Sequence, residues 1–348
     1  MPTTEQIQPL NYCAHAIEDL LEFARGVQPM APKSAHVHDR LVDMLCNSVK
    51  FLLPNCCDLI DPDDMKQAHL DLVRLPFPCV AFEAPWDKGD DGVLDLGDFP
   101  QTPATKRIAL CWEARPEYEL LPGLNDILEA FPEGGIFVMP IYWGPEYKRW
   151  TAALGGSFVP YDNEVRSMTL EQSLPASRIA NAAAIEAGLA KPHGKQFRAE
   201  PFYLLPEFYE QMLAGFGGNL EKVFAQIMLD SRDETMMLVQ ACSVINCANV
   251  GTATIEPAAA LNKKRLASGK QPFFTYKVLQ LTGEGKAAEH SGAGGTHAGP
   301  RMHLRRGHLR RLQSKVIWVR PTMVGASSEA GFVVKDYAIG AAATSRRA

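Results

Sequence analysis

The segment from Asp233 to Cys247 constrains the fold more than any other part of the chain. Met236, Met237, Leu238, Val239, Ala241, Cys242, Val244 and Ile245 leave no continuous polar face at helical spacing. A helix that is apolar nearly all round has to be covered on all sides, so this segment predicts a buried central helix. Its methionines read as gap-filling core. Just before it, Asn219 is placed to cap a helix with the stripe Leu220, Val223, Phe224, Ile227 and Met228, which makes a central helix pair.

The cover for such a helix is legible upstream. From about residue 77 the chain turns into short apolar runs broken by Pro, Gly and Asp. Cys79–Phe82, Arg107–Trp112, Gly135–Met139 and Ser157–Val159 read as strands of one sheet. Ahead of them, Leu10, Cys13, Ala14, Ile17, Leu21 and Ala24 predict a helix over roughly 4–25. Val37, Leu41, Met44, Leu45 and Leu52 predict a second from Ser34, and Asp61-Pro-Asp-Asp64 opens a third. Three helices are thus expected before the first strand. His36 and His38, two apart, point to different helix faces and make a poor metal pair. The loop holding Asp87, Asp90, Asp91, Asp95 and Asp98 lacks the spacing and closing Glu of a calcium loop and reads as solvated turns. Residues 163–200 form a polar, alanine-rich connector. Phe273–Leu281 is a strand that alternates Phe274, Tyr276 and Val278 against Thr275 and Lys277.

Charge divides the chain. Residues 1–261 hold 19 Lys and Arg against 36 Asp and Glu, whereas residues 262–348 hold 16 against 4, which together give the net charge of −5. An acidic body with a basic C-terminal module points to an anionic partner, with pairing between the two parts as the alternative. None of the eight cysteines forms a C-x-x-C pair, and no run of 18 apolar residues or N-terminal apolar leader occurs. The expectation is a cytoplasmic protein with reduced thiols, no membrane contact, no metal and no cofactor.

The positive charge concentrates in residues 299–325. Arg301, Arg305, Arg306, Arg310, Arg311, Lys315 and Arg320 occur there with His303 and His308 and without one acid. Like charges so crowded repel unless an anion neutralises them, and phosphate is the usual anion. Met302, Leu304, Leu309 and Leu312 interrupt the cations, and Val316-Ile-Trp-Val319 follows with strand propensity, so the run reads as a basic hairpin turning near Gln313-Ser314. RNA or phosphate binding by its cations is the first reading, with Trp318 and Tyr276 able to stack on bases if exposed; for Trp318, amid Val316, Ile317 and Val319, burial in the core is the favoured fate. A metal-independent ribonuclease is the alternative, with His303 and His308 as acid and base. Simple alternation separates the two histidines, and a bulge at Gly307 would be needed to bring them to one side. Gly292-Ala-Gly294 lacks the setting of a phosphate loop.

The order Asn262-Lys-Lys, Pro272-Phe-Phe-Thr-Tyr-Lys-Val-Leu, His303-Leu-Arg-Arg-Gly-His308 and Val316-Ile-Trp-Val-Arg-Pro resembles the C-terminal part of a phage- and plasmid-borne anti-CRISPR family directed against the type V-A effector nuclease. Leu75-Pro-Phe-Pro-Cys-Val-Ala-Phe82 resembles a shorter family segment. The most specific element is His303, Arg305, Arg306, Gly307 and His308, with Trp318 beyond it. The resemblance implies a protein that recognises the N-terminal segment of the effector as it leaves the ribosome and lowers its mRNA, without blocking the finished nuclease.

The sequence thus predicts an α+β protein: N-terminal helices over 1–76, an acidic body over 77–261 with a mixed or antiparallel sheet and the buried helix pair, a C-terminal antiparallel basic β-sheet over 262–340, and a tail over 341–348. A target polypeptide, in the family's case a nascent CRISPR effector, and RNA or the ribosome are the expected partners. Catalysis is the less favoured reading, and a non-catalytic protein-interaction module with a different client is the remaining alternative.

Overall fold

The computed structural model describes residues 8–89, 94–101, 103–281, 303–305, 308–311, 315–319, 322–324 and 340–341. Its helices are α1 Tyr12–Val27, α2 Pro32–Asn47, α3 Gln67–Leu70, α4 Ile127–Ala130, α5 Pro175–Glu186, α6 Pro206–Gly215, α7 Leu220–Asp230, α8 Arg232–Ile245 and α9 Ala259–Ala267. The first strands are β1 Val49–Leu52, β2 Cys79–Pro85, β3 Lys106–Glu113, β4 Gly135–Gly144, β5 Arg149–Ala152, β6 Gly155–Pro160, β7 Arg166–Ser167, β8 Lys195–Gln196 and β9 Glu200–Tyr203. The later ones are β10 Val250–Ile255, β11 Tyr276–Leu281, β12 His303–Arg305, β13 His308–Arg311, β14 Val316–Val319, β15 Thr322–Val324 and β16 Gly340–Ala341.

The expected α+β class is what folds. A ten-stranded mixed sheet runs β10-β11-β1-β2-β3-β4-β6-β9, with β5 added to β4 and β16 to β11. The central strands are apolar on both faces and alternate between two cores. On β2 and β3, Cys79, Ala81, Ile108, Leu110 and Trp112 enter a core closed by α1, α2 and α7. Val80, Phe82, Ala109 and Cys111 enter a second core closed by α8. Two-sided burial explains why these strands read as unbroken apolar runs. Helix α8 is buried along most of its length, as expected. Its predecessor α7 has the predicted cap, Lys222 N donating to Asn219 Oδ1 at 2.9 Å, but sends Val223 and Ile227 into the other core. Strands β4, β6 and β9 approach so closely that a Cβ at Gly156 would run into the Val138 carbonyl, so only glycine fits there.

Three local expectations fail for reasons of tertiary structure. The first helix begins at Tyr12 rather than near residue 4, because its initial N–H groups are held by a strand: Tyr12 N and Cys13 N donate to Glu83 Oε2 and Oε1 at 3.0 and 2.7 Å. Leu52 belongs not to α2 but to β1, which lies parallel to both β11 and β2, so a strand precedes the third helix. Four residues show no usable period, and β1's partners are distant in sequence. The third helix is a 3-10 turn, Pro62–Asp64, followed by only four residues of α3. Helix α2 is also capped from afar, since Lys33 N and Ser34 N each donate to the Glu207 carboxylate at 3.0 Å.

The acidic loop is a set of turns where it is described. Asp87 and Asp95 accept from Gly89 N and Gly97 N, and Asp98 pairs with Lys222 at 2.8 Å; Asp90 and Asp91 lie outside the described residues. Arg107 of β3 joins Asp233 and Glu234 at 3.0 and 2.7 Å in the first turn of α8, where the helix dipole also favours acids. His38 is buried and His36 exposed, in keeping with their separation.

Candidate nucleic-acid interface

The basic hairpin forms as two antiparallel ladders. β13 pairs with β14 from His308↔Val319 to Arg311↔Val316, and β12 pairs with β15 from His303↔Val324 to Arg305↔Thr322. Partner numbers sum to 627 in both ladders, so the interval between them holds equal numbers of residues on the two strands. A bulge would leave one residue unmatched. Gly307 itself, where a histidine-based ribonuclease would need that shift, lies outside the described residues.

One strand of the hairpin is fastened to the body. Trp318 is 2% exposed and lies in the α8 core, with Leu309 and Val316 packed beside it. Its backbone is clamped by one side chain: Trp318 N donates to Asn249 Oδ1 and Asn249 Nδ2 donates to the Trp318 carbonyl, both at 2.8 Å. Ala248 N adds a bond to the Val316 carbonyl at 3.0 Å. Trp318 sits in the core as its apolar neighbours predict, and neither it nor Tyr276 is exposed to stack on bases: Trp318 lies in the α8 core and Tyr276, fully enclosed, against Glu83.

The opposite side carries charge. Arg310 pairs across the ladder with Ile317 and is exposed, as is Lys315 just before β14. Neither makes an ion pair among the described residues. Of His303, Arg305, His308 and Arg311 the structure describes the backbone in β12 and β13; Arg301, Arg306, Gly307 and Arg320 lie outside the described residues.

A second cationic surface is α9. Lys263, Lys264 and Lys270 at its end are exposed, while Arg265 turns inward to Glu18 at 2.5 Å. Because α9 is tied to α1 and the hairpin to the α8 side, these cations belong to different layers. Strand β11 links them and is no appendage. It is an interior strand between β10 and β1, although the sequence division places it in the C-terminal module.

Glu83 is the junction that sequence reasoning missed. It is fully buried on β2, and besides capping α1 it accepts from the Tyr276 hydroxyl of β11 at 2.7 Å. Burial pushes its carboxyl up, opposed by the donors aimed at it. Nearby Lys50 is 3% exposed; it donates to the Ser48 and Cys46 carbonyls and sits 3.7 Å over the Phe274 ring, and burial lowers its ammonium pKa. A lone acid inside the run Cys79–Ala84 was the available signal, because a buried carboxylate needs partners.

The fold and site define an α+β protein whose body holds a cationic hairpin by one strand and leaves its outer side to solvent. Residues 256–326, from the approach to α9 through β11 and the whole hairpin, match the AcrVA2-like family, anti-CRISPR type V subtype A2. The match covers the C-terminal residues on which the likeness rests, whereas the shorter segment Leu75–Phe82 lies outside it. No curated protein and no solved structure matches the chain.

Proposed function

We propose that the protein is an anti-CRISPR-type inhibitor that binds a target polypeptide, in the family's case a nascent effector nuclease, through its acidic body. Its C-terminal hairpin engages RNA or the ribosome and thereby lowers expression of that target. One observation carries the reading: within the family-matching segment, Arg310 and Lys315 stand exposed, without an acidic partner among the described residues, on a hairpin locked by Trp318. An unneutralised cationic surface on a fixed scaffold is what phosphate contacts require. The family supplies the CRISPR-related target; the charge division supplies the polyanion.

The test is binding of the full chain to a labelled single-stranded RNA in EDTA across a salt series. Binding should weaken steeply with salt, and Arg310→Ala/Lys315→Ala should reduce the log–log slope by about 0.7 for each cation removed. Absence of binding at about 50 mM salt refutes RNA engagement. Cleavage in EDTA that is lost in His308→Ala would replace the binder with the ribonuclease. Crosslinking and pull-down from cells then reads whether nascent chains and ribosomes accompany the protein.

A further inference from the structure

A cleft of about 600 Å³ lies between α1, α2, β5 and α6, on the layer away from the hairpin. Phe208, Gln211, Met212 and Gly215 of α6 recur at i, i+3, i+4 and i+7 and line it. Phe208 and Met212 pack against the first core, but no residue of α6 is fully buried, so the stripe keeps part of its surface for the cleft. Phe23, Leu154 and Phe216 complete an aromatic and aliphatic wall. The volume is that of a site for a small molecule.

Thr151, Gln211 and Asp98, the last paired with Lys222, also line the cleft, but the polar group set among the aromatic rings is His38. His38 lines the cleft yet is 1% exposed, with its ring 4.8 Å from that of Phe23. Its Nδ1 lies 2.7 Å from the Ser34 carbonyl oxygen, which can only accept, so Nδ1 carries the proton. Burial lowers the pKa of the ring and keeps it neutral. Nε2 therefore presents a lone pair, and it makes no hydrogen bond among the described residues. Ser34 is itself held, because its N and Oγ both donate to Glu207 at the start of α6, at 3.0 and 2.5 Å. The acceptor and the aromatic wall are thus fixed relative to each other.

We propose that this cleft binds a small flat aromatic molecule bearing one hydroxyl or N–H donor, which donates to His38 Nε2 while its ring lies among Phe23, Phe208 and Phe216. Planar rings suit a wall of phenyl groups, which favour offset and edge contacts. A buried acceptor selects for a donor, because a ligand without one leaves it unpaired.

The probe is 2-naphthol, compared with 2-methoxynaphthalene, which has the same ring system but no donor; both are titrated into the full chain by calorimetry. 2-Naphthol should bind about tenfold tighter, the worth of one such hydrogen bond. His38→Leu should bring the two ligands within about threefold of each other. Gly215→Phe should weaken both at least about tenfold by filling the cleft, and the fold should tolerate it, since no atom lies within 4 Å of where a Cβ would sit at Gly215. Failure of 2-naphthol to bind, equal affinity of the two ligands for the native chain, or indifference to Gly215→Phe each overturns the proposal. Should His38→Leu not fold, the two-ligand comparison and the glycine variant still decide it.

Discussion

Replacing Glu83 by alanine should loosen the body and the family-matching segment together. The carboxylate accepts three hydrogen bonds, from Tyr12 N at 3.0 Å, Cys13 N at 2.7 Å and the Tyr276 hydroxyl at 2.7 Å. Alanine leaves all three donors without an acceptor, in a region where Tyr276 is fully buried and Cys13 likewise. An orphaned buried donor costs about 1–3 kcal/mol, and loss of a helix N-cap alone costs about 0.5–2 kcal/mol. Removing a buried carboxyl offsets part of this, so the expected loss is about 3–5 kcal/mol, a large share of the stability of an ordinary domain. Tyr276→Phe removes only one donor and leaves the cap on α1 intact, so it should cost about 1–2 kcal/mol. The double variant should then show a coupling of about 1–2 kcal/mol. Urea unfolding of the full chain, followed by far-ultraviolet circular dichroism, reads all four species of the cycle. A loss below about 1 kcal/mol for Glu83→Ala, or strict additivity with Tyr276→Phe, would refute the claim that one carboxylate joins α1, β2 and β11.

Two further outcomes follow from the structure. Trp318→Ala should free the hairpin from the α8 core: hydrogen exchange at the Ala248 and Trp318 amides, now bonded at 3.0 and 2.8 Å, should speed up, and RNA affinity should fall although no cation is removed. Unchanged exchange would mean that Asn249 alone holds the strand. Asp230, which accepts from Gln226 Nε2 at 2.8 Å, has its carboxyl pushed up to about 7 by burial. A carboxyl raised on folding holds its proton more tightly in the folded state, so it stabilises at low pH, and this contribution is lost as pH rises from about 4 through about 7. Asp230→Asn should flatten the fall in urea midpoint between those values; an unaltered profile assigns the fall to other groups.

The elements with strong local signals were legible. Helix α8 is apolar on all sides, α7 carries an Asn219 cap and a clean stripe, and β2, β3, β4 and β6 are apolar runs closed by Pro, Gly or Asp. The cationic run was legible as well, because like charges without a local acid mean the same thing in any fold. So was the pairing of β13 with β14, whose second strand is rich in β-branched residues.

Pairings between distant residues were not legible. The sequence by itself determined most element types, the charge division and the place of the cationic run only as far as periodicity and composition reach. That β1 is a strand at all, that Glu83 and Glu207 cap helices 70 and 173 residues away, and that β11 lies inside the main sheet were decided by the tertiary structure. So was the partner of Trp318: its apolar neighbours pointed to burial, but that it anchors the hairpin in the α8 core beside Asn249 was decided by the fold. The physical reason is common to all four. Periodicity records what a residue does with its neighbours in the chain, whereas a cap, a parallel partner or a core contact is settled by whichever distant group arrives with the missing donor, acceptor or apolar surface.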